Sequence, residues 1–245
     1  MRALRKMTVV EAKLFFREPL ALFFTLVFPV MILLLFAGIF GNEPVPGMPG
    51  VRSVDVQAPG YTTMVIGTVA LIGLPVTLAS YRQQGILRRM RATPLRAWTI
   101  LAAQVLVNLT ITLAGIALLL LVARLAFGMR LPDAPLSVAL AFVLSSLSFF
   151  AVGFVLAGLF SSVRTAQAVG QIIYFPMLFL SGAILPREMF PDLLKTVSDF
   201  VPLTYAVDLI QDLWLDGAWN LTALVVLTGM LVVSTVVSSM TFRWE

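Results

Sequence analysis

Six apolar runs recur along the chain, at about residues 20–40, 61–80, 99–123, 136–160, 169–185 and 219–242. Each is near the roughly 20 residues that an α-helix needs to cross the hydrocarbon core of a bilayer. Hydrocarbon offers no partner for a bare N–H or C=O, so a crossing segment must bond its own backbone, as a helix does. The chain therefore reads as an all-α polytopic membrane protein with six transmembrane helices. Residues 1–245 form a single transmembrane domain in this reading, with an interfacial segment at 1–19 and a six-span bundle at 20–242. Sixty per cent hydrophobic residues against twelve per cent charged excludes an ordinary globular core.

An even number of spans puts both termini on one side, and the basic residues choose which. The N-terminus, the loops at 81–98 and 161–168, and the C-terminus hold twelve of the seventeen Lys and Arg. Nine of the twelve acidic residues fall in the intervening loops. By the positive-inside rule both termini are cytoplasmic, in a multi-pass protein of the inner (cytoplasmic) membrane. The net charge of +5 follows this sidedness, so no nucleic-acid partner is read from it. The start, MRALRKM, lacks the apolar core and small-residue site of a cleaved signal peptide.

Residues 2–17 place Ala3, Met7, Val10 and Leu14 on one face and Arg2, Arg5, Lys6, Lys13 and Arg17 opposite, with Val9 and Phe16 intruding. Such an amphipathic helix lies in the interface, its cations among anionic head groups, which makes membrane lipids a partner. Between the fifth and sixth runs the chain is too polar to span. Two helical stripes stand out there, Leu193, Val197, Phe200 and Val201, then Ala206, Leu209, Ile210 and Leu213. Pro191 opens the first and Pro202 separates the two. This reads as an outer re-entrant helical hairpin dipping into the outer leaflet. Asp208 and Asp212 lie off the second stripe, where water or head groups would solvate them.

Pro29, Pro75 and Pro176 fall inside the runs and predict kinks. Gly67, Gly73, Gly153, Gly158, Ser234 and Ser238 read as close helix contacts, with Asn108 and Gln171 as polar glue. The runs carry essentially no ionisable residue away from their ends, unlike proton- or ion-coupled carriers. With no histidine and no cysteine there is no zinc-protease motif and no thiol nucleophile, and no metal or catalytic residue is assigned. The three lysines, Lys6, Lys13 and Lys195, each lack a preceding glycine, so there is no P-loop. Any energy for pumping must enter through another chain.

The place for that chain is the loop at 81–98. It carries Arg82, Arg88, Arg89, Arg91 and Arg96, with Ile86, Leu87 and Met90 on one side of a short helix. Gly85 hinges it to the second run, and Thr93-Pro94 stops it. Here the chain resembles the ABC-2 type transporter permeases. Gln83-Gln84-Gly85-Ile86-Leu87, then Met90 and Thr93-Pro94, look like that family's cytoplasmic coupling helix between spans two and three. Gly182, Pro186, Glu188, Pro191, Pro202, Tyr205 and Leu209 fall in a segment that resembles the family's outer hairpin between spans five and six. The chain departs from the family at Gln83-Gln84, where an acidic and a basic residue are usual, so no ion pair with an ATPase is carried over to them.

The resemblance implies the membrane subunit of an ATP-binding cassette exporter, a homodimer docked on a separate ATPase subunit. That partner would bind ATP and Mg, and this chain would hold no cofactor and be no enzyme itself. The uncharged spans favour an apolar or amphiphilic cargo, drug-like or lipid-linked. Two other readings compete: a non-transporting membrane anchor or regulator of a soluble ATPase, and a self-contained channel or secondary carrier. Whether the purified protein stimulates and needs a co-purifying ATPase separates the three.

Overall fold

The computed structural model describes residues 8, 9, 13, 15, 19–45, 50–86 and 97–241. Among them the regular structure is helical, and the only β pairing is an isolated bridge between Pro44 and Arg52. In chain order the helices are α1 (residues 19–40), α2 (Ser53–Gln83), α3 (Ala97–Phe127), α4 (Pro135–Leu159), α5 (Val163–Leu180), α6 (Asp192–Ser198), α7 (Pro202–Leu215) and α8 (Leu221–Thr241). Four stretches are long and apolar enough to cross a membrane: α2, residues Leu101–Phe127 of α3, α4 and α8. The apolar part of α1, Phe23–Ile39, is shorter, and α5 is diluted by Arg164, Gln167 and Gln171. Of the N-terminal segment, Thr8, Val9, Lys13 and Phe15 are helical, with Val9 and Lys13 exposed. The other residues of its two faces lie outside the described residues.

Helix α2 is the axis of the bundle. It packs against α1, α3, α4, α5 and α7. Within the protein 78% of its apolar stretch is buried, against 11% for α8, which rests chiefly on α4. It also begins eight residues before the apolar run at 61. The extra turns contain Ser53, Asp55 and Gln57, whose polarity hides them from a hydropathy reading, yet Asp55 is 3% exposed. Similarly α5 starts at Val163 rather than 169 and ends at Leu180, where Ser181 and Gly182 turn the chain.

The prolines of α1 and α2 lie just beyond widened helical turns. Each follows a π-helical segment, Phe23–Val27 before Pro29 and Thr68–Gly73 before Pro75. Proline lacks an N–H and its ring clashes with the carbonyl four residues back. Widening the turn avoids that clash: Phe28 N–H donates to Phe23 O, and Leu74 N–H to Val69 O, one residue further back than in an α-helix. Pro75 then has no N–H for Leu71 O four residues back or for Ala70 O five residues back. Pro176 sits within α5 without interrupting its helical assignment.

Glycines of other helices meet these carbonyls. A Cβ on Gly153 of α4 would lie 2.2 Å from Ala70 O, and one on Gly170 of α5 would lie 2.4 Å from Leu71 O. Likewise a Cβ on Gly115 of α3 would come within 3.2 Å of Thr25 O, four residues before Pro29. Only Cα–H groups fit there, and they are weak donors to the freed oxygens. Gly67 and Gly158 are close-contact glycines too, against the Tyr174 ring and Thr241.

The Gly153 and Gly170 contacts are backbone against backbone, so the helices must separate if a methyl is added. Gly153→Ala and Gly170→Ala should each destabilise the bundle by about 1–3 kcal/mol. Gly229→Ala in α8, where nothing lies within 4 Å, should be neutral or stabilise by up to about 1 kcal/mol. Thermal unfolding in detergent distinguishes them, and equal responses at all three positions would refute the packing argument.

Candidate functional site

Two groups of residues were singled out from sequence, and the fold places them at opposite ends of α2. At one end α2 finishes at Gln83, and Gly85 adopts φ +65°, the left-handed conformation that glycine enters without strain. Gln84 N–H donates to Ser80 O at 2.9 Å and Gly85 N–H to Arg82 O at 3.1 Å, which closes the helix. Gln83 and Gln84 point to solvent, while Gly85 and Ile86 are half-buried. Leu87, Met90, Thr93 and Pro94 lie outside the described residues.

Arg82 is the functional candidate that charge counting obscured. Its Nη1 donates to Ala157 O at 3.0 Å and to Phe160 O at 3.1 Å. These are orphan carbonyls at the C-terminus of α4, where a cation also opposes the negative end of the helix dipole. The foot of α2 is thereby tied to the foot of α4. By sequence Arg82 is one more topology charge; what sets it apart is its place inside the helix, six residues before Arg88.

At the other end the hairpin closes over α2. Gly182, with φ +83°, reverses the chain after α5, and a Cβ there would lie 2.8 Å from Arg187 Cγ. Ala183 follows, its carbonyl oxygen 2.9 Å from where a Cβ on Gly60 of α2 would stand. Pro186 precedes a short 3-10 turn, Arg187–Met189, which includes Glu188. Pro191 caps α6, and Pro202 opens α7 at its first position. Tyr205 donates its hydroxyl to Asp199 O at 2.7 Å, and Thr204 to Ser198 O at 2.8 Å, which fixes the α6–α7 corner.

The second stripe is buried within the protein: Ala206, Leu209 and Ile210 are fully enclosed and Leu213 nearly so, against α2, α4, α5 and α8. The first stripe is divided, with Val201 buried but Leu193 75% and Phe200 83% exposed. The acidic residues correct the sequence reading more sharply. Asp208 and Asp212 are off the apolar stripe, but both are half-buried and bonded to protein groups. Arg187 pairs with Asp208 at 3.3 Å and also with Asp199, while Asn220 Nδ2 donates to Asp212 at 2.8 Å. Beside them opens a cavity of about 530 Å³, lined by Gln57, Arg187, Glu188, Asp208, Gln211 and Asp212 among others.

The loops at this end are also joined. Asp55 accepts from Arg52 N–H at 2.8 Å and Arg130 N–H at 2.6 Å, and Trp214 of α7 donates to Arg130 O at 3.2 Å. Asn42 donates to Phe127 O at 2.7 Å. One buried carboxylate thus fastens the start of α2 to the α3–α4 loop, a role that loop composition does not reveal.

Burial pushes the Asp208 carboxyl up to about 6; the Arg187 guanidinium opposes this, and Asp212, Asp199 and Glu188 reinforce it. The folded protein therefore binds this proton more tightly than the unfolded chain, and Asp208 makes the fold more stable as pH falls from about 6 toward 4. Asp208→Asn should remove that increment, flatten the melting temperature over this window, and leave stability at pH 7.5 unchanged or higher. A variant with the parental slope would contradict the assignment. Arg82→Gln cannot supply a charge-assisted cap for α4 and should cost about 1.5–3 kcal/mol. Thermal unfolding checks this, with the solvent-facing Gln84→Ala as a control expected to stay near the parent.

The sequence comparisons converge with this architecture. The model of the ABC-2 type transporter family matches residues 2–215. The chain is similar to ABC transporter G family member 20 of Dictyostelium discoideum, 27% identical over 70% of this chain, although it spans only 23% of that protein's length. It is also similar to the putative transport permease YvfS of Bacillus subtilis, 24% identical over 90% of this chain and 86% of that one. A shorter similarity, 33% identity over 29% of this chain and 28% of the relative, is to Nodulation protein J of Rhizobium leguminosarum bv. trifolii. With four helices apolar and long enough to cross a bilayer, the chain is a multi-pass membrane protein and belongs to the ABC-2 type transporter family.

Proposed function

We propose that the chain is the membrane-spanning subunit of an ATP-driven exporter, working as a homodimer on a separate ATP-binding cassette subunit that binds ATP and Mg. Residues 1–245 then act as one domain, with α1 and α5 adding two crossings to the four longer ones. Both termini and the 81–98 loop face the cytoplasm, and the hairpin faces outward across the inner membrane. The cargo is apolar or amphiphilic, drug-like or lipid-linked.

One observation carries the reading. The Arg-rich segment follows directly from the foot of α2, the most enclosed of the long helices, and α2 is clamped to α4 through Arg82. A push delivered there enters the centre of the bundle rather than a peripheral loop, which is what a subunit driven from outside requires. The names of two relatives, an ABC transporter and a transport permease, favour the same role.

In this role Leu87 and Met90 form an apolar knob in a groove of the ATPase. Leu87→Asp removes that contact and buries a carboxylate, a combined penalty of roughly 2–5 kcal/mol, which lowers partner affinity tenfold or far more. Co-purification of the ATPase with the variant should fail at normal membrane insertion. A Leu87→Asp protein that keeps its ATPase and its transport rate would leave this segment as a linker at the lipid surface.

A further inference from the structure

The π-helical segment Thr68–Gly73 divides α2 into two α-helical parts, Ser53–Gly67 and Leu74–Gln83. The part beyond it leads to Arg82 and the Arg-rich segment. The part before it is capped through Asp55 and covered by α7. Between them the helix has lost the N–H of Pro75, and the carbonyls of Ala70 and Leu71 lie against Gly153 and Gly170. Among the described residues, one side chain from outside α2 is hydrogen-bonded to the backbone just before this interruption. Tyr174 of α5 brings its hydroxyl to 3.0 Å from Met64 O and 3.0 Å from Thr68 Oγ1, while Thr68 Oγ1 is 2.8 Å from Met64 O.

Two hydroxyl protons serve these three contacts. Either Tyr174 donates to Met64 O and accepts from Thr68, or Tyr174 donates to Thr68, whose own proton goes to Met64 O. Both arrangements leave each oxygen partnered in a region with no water, and both need the two hydroxyls together. Tyr174 is 2% exposed, and its ring fills the space beside Gly67, where a Cβ would lie 2.5 Å from Cε2. The ring already packs without the hydroxyl, so the polar tip has a separate task.

We infer that Tyr174 is a positioning residue for transport: its hydroxyl, with Thr68, holds the first turn of the π segment against α5, so that movement entering at the foot of α2 bends the helix at Thr68–Gly73 instead of sliding it whole. This rests on the ATP-driven reading above. The weak ladder beyond Thr68 supplies the flexion, and the Tyr174–Thr68–Met64 contact fixes where it begins. Loss of either hydroxyl breaks the Tyr174–Thr68 bond and leaves the remaining one donating to Met64 O alone, so both single variants should loosen the same turn and the double variant at least as much.

Tyr174→Phe and Thr68→Val keep the shapes and remove the hydroxyls. Amide exchange of residues 68–74 in the detergent-purified protein should rise at least tenfold in each, with the exchange of α7 unchanged. For the coupled motion, spin labels on Thr77→Cys and Gln167→Cys, in a chain with no native cysteine, report the distance between the last turns of α2 and the foot of α5. In the complex with its cassette ATPase, trapping with Mg, ATP and vanadate should shift that distance in the parent, and the shift should fall by at least half in either variant. Unchanged exchange in both variants overturns the inference, as does an equal vanadate-induced shift in parent and variants. Faster exchange with no shift in the parent would instead preserve the pinning contact and overturn the ATP-driven reading. Should Tyr174→Phe fail to fold, Thr68→Val alone decides the same comparisons.

Discussion

In hydrocarbon a carbonyl without a donor has no water to turn to, and this bundle is arranged around a few such carbonyls. Pro29 and Pro75 each remove an N–H from the interior of a helix, and a π turn opens ahead of each. The exposed backbone then dictates what may lie against it. Gly115, Gly153 and Gly170 come from three different helices, and all three abut oxygens near the two prolines. The packing of α3, α4 and α5 around α2 is thus set as much by backbone approach as by side-chain interdigitation. Glycine serves here for its missing methyl, since it brings Cα–H groups where any larger residue would push the helices apart.

The broad architecture was legible in the sequence because a membrane enforces a simple code. Apolar length located the long helices, and the paired prolines and buried stripe of the hairpin located α6 and α7. What escaped were groups whose roles depend on a distant partner. Ser53, Asp55 and Gln57 read as loop because hydropathy assumes lipid outside, whereas α7 and the neighbouring loops pack over this turn and bury Asp55. Kinks were read at Pro29 and Pro75, but a single proline does not say whether the helix bends or widens. Asp208 read as solvated because nothing in its own helix reveals Arg187 some twenty positions earlier.

The candidate sites show the same division. Gly85 was legible as a hinge just past the second apolar run, and it adopts positive φ, whereas Gly182 was read inside the fifth run and instead turns the chain there. Arg82 and Tyr174 were not legible. Arg82 is chemically identical to four neighbours that follow it, and only the fold shows that its guanidinium reaches α4. Tyr174 sits among other apolar residues of α5, and its task becomes visible once the widened turn of α2 lies opposite. Sequence spacing finds residues that act on their own element; it is blind to those that act on another.

The lengths of α2 and α8 have a consequence for the surrounding bilayer. At about 1.5 Å per residue, the 31 residues of α2 reach roughly 46 Å, and the 21 of α8 about 31 Å. A hydrocarbon core of about 30 Å matches α8 and leaves much of α2 beyond it. Helix α2 is walled off by protein, so lipid thickness does not act on it directly. Helix α8 meets lipid over most of its surface and is held chiefly by α4, so a thicker or thinner membrane changes its tilt first. The two helices divide the labour: one answers to the protein interior, the other to the lipid.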